Sequence, residues 1–279
     1  MFTQFITLCK DALLQARRSK VLTVLIVLCS LVLIYLFFGI QTETGGIVED
    51  EMRLSVPLFN VNTPVDPVKF ANSTMRVTMR IILTVGVFFF IFAFSGFIPQ
   101  SLAKGSADLL LSKPIYRWMI LLAKSLVIAV VSFFTAAYLY FGVMLIVWFK
   151  SGFLTDDFIL PFFGVLLLFI PLLATMTLLN VLTRSTVITV IVTLFLYFVA
   201  SMVGGINMGP GFDDDPAWLF GTLKVLHYCL PDFVAMSASV VGTTRGEVLE
   251  FDPFGHALIY SAVVFIISTV ILNRKNYTV

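Results

Sequence analysis

The chain predicts an all-α, polytopic integral membrane protein with six transmembrane helices, and three observations carry that reading. Of its 279 residues 59% are hydrophobic and only 12% charged, where a soluble domain of this length carries about a quarter charged residues. Apolar runs recur at about 20 residues, the length that spans roughly 30 Å of hydrocarbon. The basic residues collect in alternate connections between those runs.

In chain order, residues 1–20 come before the first apolar run. Phe2, Phe5, Ile6, Cys9, Leu13 and Ala16 recur at helical spacing, while Lys10, Asp11, Arg17 and Arg18 lie elsewhere on the wheel. An amphipathic helix lying in the cytoplasmic interface fits that pattern. The six expected spans are Val21–Ile40, Val77–Ile98, Met119–Phe149, Phe158–Leu182, Thr186–Ile206 and Phe254–Leu272. The first runs on for a full span with no small-residue cleavage site, so no cleavable signal peptide is expected. The third is long enough to need a strong tilt, or to begin in the aqueous phase near Lys124. Two larger segments, 41–76 and 207–252, are acidic and rich in Pro and Gly, and are expected on the outer face. The whole of 1–279 reads as a single transmembrane domain.

Orientation follows from charge. Lys10, Arg17, Arg18, Lys20, Lys104, Lys113, Arg117, Lys124, Arg184, Arg274 and Lys275, eleven of the 18 basic residues, fall on the side of the two termini. Of the 16 acids only Asp11 and Asp108 accompany them. The connections on that side are short, the regime in which positive charge marks the cytoplasm. A multi-pass protein of the cell membrane with both termini cytoplasmic is the expectation.

Chemistry of its own is hard to find in the chain. Cys9, Cys29 and Cys229 give neither zinc-like spacing nor an internal disulfide. His227 and Cys229 are one residue apart, two ligand types with no partners nearby in sequence. Asn72-Ser73-Thr74 matches an N-glycosylation acceptor. The six spans place no Asp, Glu, Lys or Arg near the bilayer midplane, where an ion-coupled carrier needs one. Matching Gly/Pro-interrupted helices in two halves are missing too, as is a G-x-x-x-x-G-K-[ST] nucleotide loop. No catalytic residue, metal, bound cofactor or nucleic-acid partner is expected. An embedded enzyme would need converging His, Asp or Glu at one interface, and only His227 and His256 exist. Any work done on a substrate must come from a partner.

The connection at residues 99–118 supplies a place for that partner. Gly96 and Pro99 disfavour an uninterrupted helix at the end of the second span. Ser101–Leu111 then reads as a short amphipathic helix, with Leu102, Leu109, Leu110 and Leu111 apolar and Lys104, Ser106 and Asp108 polar. Pro114 ends it. A fresh helix starts near Ile115, with Arg117 and Trp118 at the interface. The run FSGFIPQSLAKGSADLLLSKPIYRW, residues 94–118, continuing into Ile120-Leu121-Leu122-Ala123-Lys124, resembles the signature of type-2 ATP-binding-cassette (ABC) transporter permeases.

The resemblance implies that this stretch is a coupling helix docking on an ATPase subunit through Lys104, Asp108, Leu109, Leu110, Leu111, Lys113 and Arg117. It implies two ATPase copies, which bind ATP and Mg, and a second permease copy or a paralogue. Residues 1–20 resemble the family's interfacial elbow helix. Pro216–Val241, with Leu230-Pro231-Asp232-Phe233, resembles short outer helices that dip back toward the membrane. One departure is Ala103, where members commonly carry an acid. Ala200, Ser201, Gly204 and Gly205 form two overlapping small-x-x-x-small pairs in the fifth span. Ser201, Gly204 and Gly205 are therefore expected at the interface between permease copies. The implied function is the transmembrane subunit of an ATP-driven exporter; the alternative is a non-transporting subunit that passes ATPase motion to an outer protein.

Overall fold

The computed structural model describes residues 2–18, 20–39, 41–44, 52–56, 61–65, 67–97, 117–152, 159–207, 222, 225–243 and 247–274. Its elements are α1 (Phe2–Arg18), α2 (Lys20–Gly39), β1 (Gln41–Thr44), β2 (Met52–Val56), β3 (Val61–Val65), α3 (Pro67–Phe94), α4 (Arg117–Ser151), α5 (Ile159–Thr183), α6 (Thr186–Asn207), α7 (Phe233–Thr243) and α8 (Asp252–Arg274). Five segments are long and apolar enough to cross a membrane: Asn72–Phe94, Trp118–Lys150, Ile159–Thr183, Thr186–Gly205 and Asp252–Arg274. The chain is a multi-pass membrane protein. Gln4–Arg17 and Leu22–Phe38 meet at a 58° bend and together form one further candidate.

Among the described residues the chain is helical apart from one small sheet in residues 41–65. β1, β2 and β3 form a three-stranded antiparallel sheet in that order, with Met52 opposite both Thr44 and Val65. Met52, Leu54 and Val56 alternate with Arg53 and Ser55, the period of a strand. Pro64 is tolerated because β3 is an edge. The signal runs over only four or five residues per strand, too short to stand out within an acidic connection.

Pro67 opens α3 at the position where its missing N–H costs nothing. The helix thus starts ten residues before the expected Val77. Met75, Met79, Ile82, Val87, Phe90 and Phe94 line its buried face at spacings of three to five. At its far end Ser95 N donates to Ile91 O at 3.1 Å and Phe97 N to Phe94 O at 3.2 Å, closing a turn.

Helix α5 is the centre of the bundle. Its Phe169 stacks on Phe90 of α3 with ring centroids 4.7 Å apart, and its Phe162 meets Tyr140 of α4 at 5.3 Å. Leu168, Leu172, Met176 and Val181 are almost fully enclosed. Pro171 lies inside the helix, where surrounding helices allow the lost backbone bond. The chain reverses from α5 into α6 through Arg184 and Ser185; Arg184 takes a left-handed conformation, φ 53°, and its N–H donates to Asn180 O at 3.1 Å. That is the αL helix ending usually given to Gly or Asn.

Helix α1 docks along the start of α4. Leu8, Ala12 and Ala16 repeat at i, i+4 and i+8 and are buried, with Leu8 packed on Met119 and Ala123 beside Phe5, Cys9 and Ile120. Ile6, Leu13 and Leu14 remain exposed. The single apolar face expected from Phe2, Phe5, Ile6, Cys9, Leu13 and Ala16 is thus, among the described side chains, two faces, one held by α4 and one left open.

Candidate functional site

Lys104, Asp108, Leu109, Leu110, Leu111 and Lys113 lie outside the described residues, and so does the expected helix Ser101–Leu111. Arg117 is the first residue of α4. What the structure describes is the frame on which that connection is mounted. It leaves α3 after Phe97 and enters α4 at Arg117. One side chain links the frame. Lys124 is 7% exposed; its Nζ donates to Gln15 Oε1 of α1 at 3.0 Å and lies 5.4 Å from the Phe97 ring centroid. Near Lys124, where the third span was expected either to tilt strongly or to begin in the aqueous phase, α1 covers α4. At about 1.5 Å per residue, the 35 residues of α4 reach about 52 Å, well beyond a hydrocarbon core of about 30 Å. The overhang is what α1 packs against.

On the opposite side, residues 225–229 are helical and α7 follows at Phe233. Between them Leu230, Pro231 and Asp232 make the tip of a helical hairpin. Asp232 is the N-cap of α7: its Oδ1 accepts from Ala235 N at 2.9 Å and its carbonyl from Met236 N at 3.1 Å. Capping of this kind satisfies donors that the first helical turn leaves free. His227 Nδ1 stands 3.8 Å from Asp232 Oδ2, an electrostatic contact beyond hydrogen-bond length. His256 Nε2 donates to Tyr228 O at 3.0 Å and ties the hairpin to α8. Cys229, the other half of the pair considered from sequence, is exposed. Among the described residues no group of three His, Cys, Asp or Glu side chains converges.

The hairpin tip inserts between helices. Leu230, Pro231 and Phe233 line a small cavity with Thr175 of α5, Tyr197 and Ala200 of α6 and Tyr260 of α8. Tyr197 is close to the middle of α6. Of the expected Pro216–Val241 segment, Thr222 and the residues from Val225 onward are described, and Leu230, Pro231 and Phe233 pack against α5, α6 and α8. Gly204 makes the insertion possible, since a Cβ there would run into the Asp232 carboxylate. Gly205 is open, with nothing within 4 Å of its Cβ position, and Ser201 is half-buried. The three residues expected at a permease interface thus differ in role: Gly204 packs within the chain and Gly205 faces away from it.

A polar seam that charge-based reading missed runs along α6. Thr189, Thr193, Tyr197 and Ser201 repeat every four residues, one helical face. Thr189 Oγ1 donates to Asn180 Oδ1 of α5 at 2.8 Å, Tyr197 bonds Ser201, and Thr175 and Tyr260 share a hydrogen bond of 3.0 Å. The i, i+4 recurrence of hydroxyls was the available signal. A separate cavity of about 120 Å³ lies among α2, α3, α4 and α5, beside Cys29, Gly86, Phe89 and Ala136, and is almost wholly apolar. Its Ser132 and Thr135 hydroxyls are turned back to Ile128 O and Val131 O at 2.6 and 2.8 Å.

No family model matches the chain, and neither a curated protein nor a solved structure matches it.

Proposed function

We propose that this chain is the transmembrane subunit of an ATP-driven ABC exporter of the type-2 permease class. In this reading α2 is the sixth span, α1 is the interfacial elbow, and both termini are cytoplasmic. Residues 99–118 dock on an ATPase subunit through Lys104, Asp108, Leu109, Leu110, Leu111, Lys113 and Arg117. ATP and Mg belong to two copies of that subunit, and a second permease copy or paralogue completes the assembly.

The observation that carries the reading is the frame around the signature stretch. Force applied between Phe97 and Arg117 enters α3 and α4 directly. Lys124 joins that point to α1 through Gln15 and to the end of α3 through Phe97. A soluble motor gripping the connection therefore moves α1, α3 and α4 together. The exposed Ile6, Leu13 and Leu14 of α1 suit a helix lying in the interface with one apolar side in lipid. Leu230, Pro231 and Phe233 pack across the opposite end of the bundle.

The alternative, a subunit that transmits motion without transporting, draws support from the polar seam. Asn180, Thr189 and Thr193 are at most 1% exposed, so within one chain that seam is packed shut. Substrate efflux from vesicles that hold the permease and its ATPase separates the two readings, since a transmitter gives hydrolysis without efflux. The experiment that tests the shared premise is simpler. The purified chain alone should hydrolyse no ATP, and hydrolysis should appear on adding a P-loop ATPase that co-purifies with it. Turnover by the pure chain would overturn the proposal.

A further inference from the structure

We propose that the seam between α5, α6 and α8 binds one water molecule directly beneath the tip of the outer hairpin. Thr193 carries the inference. It is 1% exposed, and its Oγ1 has no hydrogen-bond partner. Its neighbours behave differently. Thr175, Thr177 and Thr183 each donate to the carbonyl four residues back, at 2.7 to 2.8 Å, and Thr189 donates to Asn180 Oδ1. Thr193 makes no such bond, and it lines the cavity shared with Thr175, Tyr197, Tyr260 and Pro231.

That cavity measures about 10 Å³, close to the space a single water needs, and a buried water requires two to four polar partners. The lining provides them. A hydroxyl carries one donor and two acceptor lone pairs, so the Thr175–Tyr260 pair, which shares one bond, keeps capacity to spare. Thr193 adds an unused donor and acceptor. All these groups are neutral, and Asp232 is engaged with Ala235 N, so the site suits water rather than a metal cation or an anion. Leu172, Ala200 and Phe233 close the remaining walls and limit the occupant to one molecule. The water joins α6 to the α5–α8 pair and forms the floor on which Pro231 rests.

The test uses the full chain in mild detergent with Thr193→Val, Thr193→Ser and Tyr260→Phe. If the site is hydrated, Thr193→Val strands the partners of the water and lowers Tm by about 2–4 °C. Thr193→Ser, which keeps the hydroxyl, stays within about 1 °C. Tyr260→Phe moves in the same direction as Thr193→Val. Radiolytic hydroxyl footprinting gives a second readout, because a bound water generates radicals beside its neighbours. Oxidation of Tyr260 should fall several-fold in Thr193→Val while that of Tyr140, which faces the α4–α5 contact, stays constant. If the site is dry, Thr193→Val merely removes an unsatisfied hydroxyl, and Tm is unchanged or rises. That outcome, or unchanged Tyr260 oxidation, overturns the proposal.

Discussion

Replacing Gly204 with alanine should unseat the hairpin at Leu230–Phe233. An added Cβ would fall against the Asp232 carboxylate, with Cγ only 2.9 Å away, closer than real side chains approach. Asp232 cannot simply swing aside, because its Oδ1 holds the Ala235 N–H at 2.9 Å. Rotating it off sacrifices the N-cap, about 1 kcal/mol. Moving the hairpin instead loosens Phe233, whose ring lies 5.1 Å from Tyr197, and overpacking of that kind costs about 1–3 kcal/mol. Alanine recovers about 1 kcal/mol of helix propensity over glycine. The net loss is about 1 kcal/mol, or about 2–4 °C in Tm for a chain of this size. Thermal unfolding in mild detergent reads it out, with Gly205→Ala as the control, since nothing lies within 4 Å of that position. The control should match wild type or exceed it. Adding Asp232→Ser to Gly204→Ala should restore much of the loss, because serine still caps while leaving room. Equal stability of Gly204→Ala and Gly205→Ala would refute the reasoning.

Two further outcomes follow from the same geometry. Lys124→Glu puts a carboxylate against Gln15 Oε1 and the Phe97 ring face, so α1 should detach from α4 and the chain become cleavable near residues 18–20 in limited proteolysis; Lys124→Met, which removes the buried charge along with its bond, should stay within about 1 kcal/mol of wild type. With Cys9, Cys29 and Cys229 replaced, Ser201→Cys should crosslink between permease copies, whereas crosslinking from α2 with none from α6 would move the interface to the other side of the bundle.

The apolar runs that cross the membrane were legible because a span of about 20 residues leaves an unbroken stretch that nothing else in the sequence imitates. The helix break at Leu230-Pro231-Asp232 was not read from the sequence, although a proline followed by a capping residue marks it. Contacts between distant segments were not legible. Nothing near Gly204 in sequence reveals that Asp232, 28 positions later, is what requires a glycine there; the small-x-x-x-small pattern shows that something approaches closely, but not what. Lys124 read as one more cytoplasmic cation, since its burial depends on α1 folding back over α4. The strands escaped notice because four or five residues of period two are too few to separate from a polar loop. Thr189, Thr193, Tyr197 and Ser201 were visible as an i, i+4 row, and a search for charged groups alone passed over them.

The central claim, that a separate ATPase drives this chain through residues 99–118, is tested most directly by Leu110→Asp. Leu109, Leu110 and Leu111 cannot share one side of a helix, because successive residues turn by about 100°, so at least one is available to fill a groove on the partner. An aspartate in a desolvated contact costs about 3–5 kcal/mol. Position 110 falls between α3 and α4, outside both apolar spans, so the variant should insert and melt like wild type. The measurement is ATPase co-purification and ATP turnover in mild detergent, variant against wild type. The expected result is loss of the partner and of its stimulated turnover with an unchanged Tm. Co-purification and turnover at wild-type level would contradict the account.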